Sequence, residues 1–222
     1  MRVVVTGSSC GMGRSIAELF ITKGNEVIGI DTLNCTSEFL LNSPYYSHMK
    51  CNIADKESLP DIPNVNILIN NAGVQQSGQD IEINLMGLMY CTEKYALNNP
   101  KIVSVLNQSD VAAKTGCQFP YYVASKGGVT AYTRWTAKQI ACYCATCNSL
   151  SVGGVITDLN LPVMADSGKW DEIMKITPMH KWATTKEIAQ WAYFLTVVNK
   201  SCSGQDIVID NLESLNGTFI WN

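Results

Sequence analysis

The chain has 222 residues, 46% hydrophobic and 16% charged, with 19 acidic against 16 basic side chains and a net charge of -3. That composition suits one compact globular domain over 1–222 and excludes disorder as its main state. It also argues against a surface basic enough to follow a nucleic-acid backbone, and no run approaches the ~20 apolar residues of a membrane-spanning helix.

Short apolar runs rich in β-formers stand at 2–6, 26–31, 66–70, 101–106, 147–152 and 206–209, with a weaker one at 46–51. Apolar on both faces, they read as buried parallel strands. Segments with helical spacing separate them at 12–23, 80–98, 121–143 and 185–198. Such alternation predicts an α/β fold, a doubly wound three-layer sandwich with right-handed crossovers. Between Asp31 and Asn66 there is too little chain for a strand and a full helix, so that edge of the sheet should be trimmed. The stretch 158–184, broken by Pro162, Gly168 and Pro178, reads as a lid over a substrate site.

The first strand runs into Thr6-Gly7-Ser8-Ser9-Cys10-Gly11-Met12-Gly13, and a helix follows. Glycines there let the backbone turn tightly and approach a pyrophosphate, whose charge is stabilised by free N–H groups at the helix N-terminus. Gly7, Ser9, Gly11, Met12 and Gly13 are therefore cofactor candidates. Asp31 closes the second strand 20 residues after Gly11, where a carboxylate can accept hydrogen bonds from ribose hydroxyls. It would repel a 2′-phosphate, and neither Cys10 nor Thr32 supplies a cation, so NAD(H) is expected over NADP(H).

Tyr122 and Lys126 stand four residues apart at the start of a predicted helix, hence on one face. An adjacent ammonium would lower the phenol pKa from about 10 toward neutrality, as a tyrosine acting as general base requires.

Taken together, Thr6-Gly7-x3-Gly11-x-Gly13, Asn70-Asn71-Ala72-Gly73, Asn84, Ser109, Tyr122-x3-Lys126, Gly153-x3-Thr157 and Ser203-Gly204-Gln205 resemble the short-chain dehydrogenase/reductase family in order and spacing. The resemblance implies a Rossmann-type sheet of seven parallel strands in the order 3-2-1-4-5-6-7 and an NAD(P)-dependent reaction at a carbonyl or alcohol carbon. By the same likeness Tyr122 is the acid/base, and Lys126 tunes it and holds the nicotinamide ribose. Ser109 would hydrogen-bond the substrate oxygen, with Ser104 and Ser125 as rivals, and Asn84 would hold a water in a relay to Lys126. Asn52 and Ile53 would lie near adenine, Asn71, Ala72 and Gly73 near the adenosine ribose. Thr157 and the amide of Val155 or Ile156 would anchor the nicotinamide carboxamide. Departures from the family pattern are Asn52 for an aspartate, Val152 for a proline, and Asp210-Asn211 after the last strand.

Cys142, Cys144 and Cys147 lack the second pair or histidines of a closed zinc site, so no metal is expected and they read as apolar packing residues. Nine scattered cysteines do not form the even framework of a secreted disulfide scaffold, and the apolar run Val3 to Val5 is too short for a signal peptide, so a reducing, cytoplasmic compartment is expected. Met164, Trp170, Met174, Met179 and Trp182 in the lid suit either a hydrophobic substrate or plain packing. The expected activity is an NAD(H)-dependent interconversion of a hydrophobic secondary alcohol and its ketone. The alternatives are a 3-oxoacyl-carrier-protein reductase and a non-catalytic dinucleotide sensor. The family likeness also implies a homodimer or homotetramer through the helices at 80–98 and 121–143, with Tyr90, Tyr95, Tyr132 and Trp135 supplying apolar area.

Overall fold

Residues 1–215 are described in a computed structural model, and the apolar runs form its strands. These are β1 (Arg2–Thr6), β2 (Glu26–Asp31), β3 (Tyr46–Lys50), β4 (Ile67–Asn70), β5 (Ser104–Asp110), β6 (Thr146–Val152), β7 (Val155–Ile156), β8 (Ala183–Thr184) and β9 (Asp206–Ile209). Seven of them make one wholly parallel sheet in the order β3-β2-β1-β4-β5-β6-β9, while β7 and β8 pair with each other. With β9 counted as the seventh strand, this is the expected order.

The helices are α1 (Gly11–Thr22), α2 (Glu38–Leu41), α3 (Leu88–Thr92), α4 (Ala112–Thr115), α5 (Pro120–Ile140), α6 (Leu161–Met164), α7 (Ser167–Ile176) and α8 (Thr185–Tyr193). Around α3 a helix runs over 80–97, its turns Glu82–Gly87 and Glu93–Leu97 widened to π geometry. Between β2 and β3 there is room only for the single turn α2, so the trimmed edge is as expected.

Because successive strand side chains point to opposite faces, β1 feeds two cores. Val3 and Val5 pack with Ile16 and Phe20 of α1 and Ile188 of α8. Val4 packs on the other face with Leu68, Val105, Cys91, Tyr95 and Ile140. Each such fully buried side chain contributes about 1.5–3 kcal/mol, so the sheet is held from both sides and its C-terminal edge is left to carry the clefts.

Three expectations need correcting. The fifth strand lies at Ser104–Asp110 rather than 101–106. Its polar half is buried because each amide finds a partner: Asn107 accepts from Asn70 Nδ2 at 2.9 Å and donates to Thr133 Oγ1 at 2.9 Å, and Gln108 donates to Leu150 O at 3.1 Å. Apolar periodicity is blind to such a strand. Tyr95 is a core residue whose hydroxyl donates to Pro60 O at 2.8 Å, so it offers no area to another subunit. Of the three neighbouring cysteines only Cys147 is buried; Cys142 and Cys144 are exposed, the latter in the left-handed region after α5.

Candidate active site

The glycine turn between β1 and α1 is fixed by close approaches that a side chain would block. Gly7 has a φ of +67°, and a Cβ there would lie 2.7 Å from Ala72 Cα. A Cβ on Gly13 would collide with the Gly7 carbonyl, so α1 can start against β1 only without one. Asn71 stitches the end of β4 to this turn, donating from Nδ2 to Thr6 O at 3.1 Å and Gly7 O at 3.0 Å, while Thr6 Oγ1 accepts from the amides of Asn71 and Ala72. Cys10 caps α1 with no side-chain hydrogen bond. The first-turn amides of Gly11 and Met12 are thus left for an anion.

This turn borders a cleft of about 390 Å³ whose lining includes the expected cofactor residues Gly7, Gly11, Met12, Asp31, Asn52, Ile53, Asn71, Ala72, Gly73 and Thr157, together with residues not expected there such as Cys10, Ile30, Val74 and Asp158. Asp31 accepts from Ser9 N and Leu33 N, both at 2.9 Å, so it braces the glycine turn as well as facing the cleft. Ser9 and Gly13 do not line it. Ser9 is buried, its hydroxyl donating to Leu33 O at 3.1 Å, and Gly13 serves the β1–α1 contact.

A second cleft of about 220 Å³ opens from the first and shares Met12, Asn71, Gly73 and Thr157 with it. Its wall includes Ser109, Asp110, Tyr122, Lys126, Val155, Trp182 and Glu213. Ile156 lines neither cleft and is 41% exposed. Tyr122 Oη donates to Asp110 Oδ2 at 2.8 Å. Lys126, buried, donates from Nζ to Gln108 O at 3.1 Å and lies 5.6 Å from the Tyr122 ring centroid.

The electrostatics differ from the sequence expectation. Burial, and then the charge of Asp110, push the Tyr122 phenol well above its ordinary range instead of toward neutrality. Lys126 addresses the ring and a carbonyl rather than the phenol oxygen, so its charge does not offset those two effects. Burial lowers Lys126 itself to about 8, opposed by Asp110. The Asp110 carboxyl is raised by burial, against hydrogen bonds from Ala112 and Tyr122 and the charge of Lys126.

Ser109 faces the cleft, yet its hydroxyl donates to Lys126 O at 3.2 Å. Its rivals are internal: Ser104 pairs with Thr146 Oγ1 at 2.9 Å, and Ser125 donates to Tyr122 O at 2.7 Å. Asn84 is buried in the widened turn, where Oδ1 accepts from Val74 N at 2.7 Å and Nδ2 donates to Val74 O at 2.8 Å and Ser125 Oγ at 3.1 Å. A Cβ on Gly73 would sit 3.2 Å from Asn84 Oδ1 and 3.5 Å from Lys126 Nζ, so the glycine keeps both near the cleft junction.

Two acidic groups escaped the sequence reading. Asp110 follows Ser109 directly, and its other oxygen accepts from Ala112 N at 2.7 Å, the turn an aspartate at a strand end commonly makes. That local signal was available. Glu213, which accepts from Gly154 N at 2.8 Å, comes from the segment after β9 and had none.

The short chain dehydrogenase family pattern matches residues 1–168. An NAD-dependent glycerol dehydrogenase from Listeria innocua is 26% identical over 93% of this chain and 91% of that protein. A 3-oxoacyl-acyl-carrier-protein reductase from Haemophilus influenzae is 28% identical over 86% and 88%. A solved structure from Agrobacterium tumefaciens, assigned as a 2-deoxy-D-gluconate 3-dehydrogenase with NADP bound, superposes with a TM-score of 0.87 at 24% identity, covering 96% of each chain. Because the family match runs unbroken from the glycine turn through Tyr122 and Lys126 to Thr157, the chain belongs to the short-chain dehydrogenase family.

Proposed function

We propose that this oxidoreductase is an NAD(H)-dependent dehydrogenase that interconverts a polar secondary alcohol and its ketone, with Tyr122 exchanging the substrate proton. The observation that carries the reading is that Tyr122 and Lys126 line a cleft continuous with the glycine-turn cleft. The residues present fit a dinucleotide: backbone crowding excludes side chains at Gly7 and Gly13, and the free amides of α1 suit a pyrophosphate. When bound, its nicotinamide accepts or returns a hydride. Gly7, Gly11, Met12, Ala72 and Gly73 would hold it, with Thr157 and Val155 beside the nicotinamide and Asn52 and Ile53 beside adenine. Tyr122 would face the substrate oxygen, and Ser109 would turn its hydroxyl from Lys126 O to share that oxygen. Asn84 then supports Lys126 through the turn it holds, with its side-chain amide occupied by Val74 and Ser125.

The preference for NAD(H) is supported by charge: Asp31 and Asp158 line the first cleft, and none of the described residues lining it is Lys or Arg. A polar substrate is supported by the second cleft, where Gln75, Gln118, Asn160 and Glu213 stand and, of the lid's methionines and tryptophans, only Trp182 reaches the wall. Trp170 packs edge-on against Trp182 at 5.0 Å, behind the wall. The glycerol dehydrogenase relative points the same way. Reduction of a 3-oxoacyl carrier substrate is the second reading, on the strength of the Haemophilus relative. Assembly as a homo-oligomer is part of the proposal, with the exposed Trp135 of α5, stacked on the half-buried Tyr132, in the contact surface.

The test is NADH absorbance over a panel of polyols, simple secondary alcohols, sugar acids and 3-oxoacyl thioesters, each with both dinucleotides. Turnover of a polyol or sugar acid with NAD is the expected result. Preference for NADP would overturn the cofactor reading, and tight NAD binding with no turnover anywhere would favour a sensor.

A further inference from the structure

We propose that Asp110 is the proton acceptor behind Tyr122, so that substrate hydroxyl, phenol and this carboxylate form one proton relay. This rests on the dehydrogenase reading above and adds a residue to it.

The geometry is directional. A carboxylate only accepts, so in the 2.8 Å contact the phenol must be the donor and its hydrogen is aimed at Asp110 Oδ2. The other oxygen, Oδ1, is pinned by Ala112 N at 2.7 Å, which fixes the plane of the carboxylate at the end of β5. Tyr122 Oη keeps lone pairs free for a hydroxyl in the cleft that both residues line. The other polar side chains nearby are committed elsewhere: Ser109 to Lys126 O, Asn84 to Val74 and Ser125, Lys126 to Gln108 O.

Three further charged groups face the dyad from separate elements. Lys126 approaches from α5, Asp80 from the start of the helix over 80–97, and Glu213 from the segment after β9. Asp80 accepts from Gln76 N and Ser77 N, and Glu213 from Gly154 N, whereas the phenol's own hydrogen bond goes to Asp110. Burial raises the Asp110 carboxyl, which brings its proton affinity toward that of a working base.

In alcohol oxidation the C–H bonding pair leaves as hydride to the oxidised nicotinamide dinucleotide of the proposed reaction. The hydroxyl proton moves to Tyr122 Oη as the phenol's own proton moves to Asp110 Oδ2. The resulting carboxylic acid gives that proton to solvent, so the sum is alcohol plus oxidised dinucleotide to ketone, reduced dinucleotide and one proton. Reduction runs the same steps backward.

The first measurement needs no substrate. Ultraviolet tyrosinate titration of wild type against Tyr122→Phe isolates the Tyr122 component, and the same pair is repeated on Asp110→Asn. The amide introduced by Asp110→Asn can keep the Ala112 turn through its oxygen, and Asp110→Ser is a second variant that also retains a short acceptor there. Both should lower the Tyr122 titration by about one pH unit or more, a tenfold change in its ionisation constant. The second measurement is the pH profile of kcat/KM for the best alcohol of the panel. Wild type should show an acid limb that both variants lose, with kcat/KM near neutrality down about a hundredfold in both directions. An unmoved Tyr122 titration overturns the dyad, and a moved titration with an unchanged acid limb overturns the relay. A panel without turnover sinks the dehydrogenase reading, and the dyad is then decided by the titration alone.

Discussion

The two clefts meet at Gly73 and Thr157 but are built by opposite means. The glycine-turn cleft is made by backbone: a glycine turn that tolerates no Cβ, free amides at the start of α1, and Asn71 tying β4 to the turn. The Tyr122 cleft is made by side-chain partnerships, Tyr122 with Asp110, Lys126 with Gln108, Ser109 with Lys126, Glu213 with Gly154. A site made of backbone is fixed wherever its glycines stand. A site made of partnerships can be re-aimed by one neighbouring residue, as Asp110 re-aims the phenol here.

The largest expected effect separates the two clefts outright. Tyr122→Phe keeps the ring and its packing but removes the group placed to exchange a proton with substrate, so kcat should fall about 10²- to 10⁴-fold. Binding of NADH, followed by its fluorescence, should be unchanged, because no glycine-turn contact involves the phenol. Near-normal turnover in this variant would break the catalytic assignment.

Lys126 sharpens the comparison from the side of stability. Its folded pKa of about 8 lies below the 10.5 of a free lysine, because burial disfavours the charged form. Near neutrality it is charged in both states, so folding bears the cost of burying that charge, at most about 3 kcal/mol from the shift. Above pH 8 the folded state sheds the proton first and stability rises until the unfolded pKa is passed. Lys126→Met keeps the length of the side chain, removes the charge and leaves the Gln108 carbonyl unpaired, which costs about 1 kcal/mol. The expected result is a urea midpoint higher by the equivalent of about 1–2 kcal/mol together with loss of turnover. A less stable variant would show that Lys126 is held by its contacts and not against its solvation.

The difference in construction also explains what is legible in the sequence. Strand positions, their order and the glycine turn follow from apolar runs and from residues with special backbone freedom, which act locally. About half of the residues lining the glycine-turn cleft are readable in this way; Ile30, Cys51, Val74, Ile83 and Leu159 also line it with no local signal, and Ser9, Gly13 and Ile156 lie outside the lining. The end of β5 is hidden because Asn107, Gln108 and Ser109 are polar and yet buried, satisfied by partners from β4, α5 and β6. Tyr122 and Lys126 are visible as a spacing, but the partner of each hydrogen bond depends on where β5 ends. The stretch 158–184 is legible only in part for a related reason: Leu159, Asn160 and Trp182 line the second cleft while Trp170 packs on Trp182 and Met164, Met174 and Met179 line neither cleft, and composition does not tell a wall from its surroundings.

Asp31 tests the backbone cleft with the smallest effect. It is a side chain there with a double duty, accepting from Ser9 N and Leu33 N while presenting a carboxylate to the cleft. A carboxylate has room for about four hydrogen bonds, so two remain for ribose hydroxyls. Asp31→Ala removes both braces and the negative charge that disfavours a 2′-phosphate. NAD affinity should fall about tenfold, the equivalent of roughly 1.4 kcal/mol or one good hydrogen bond to a charged group. NADP affinity should fall less or rise, because the loss of the braces is then offset by the loss of repulsion. Turnover with NAD should persist at a saturating concentration, since Tyr122 and Lys126 are untouched. Equal losses for the two dinucleotides, measured by titration calorimetry, would assign Asp31 to bracing the turn alone and leave the cofactor preference without its charge argument.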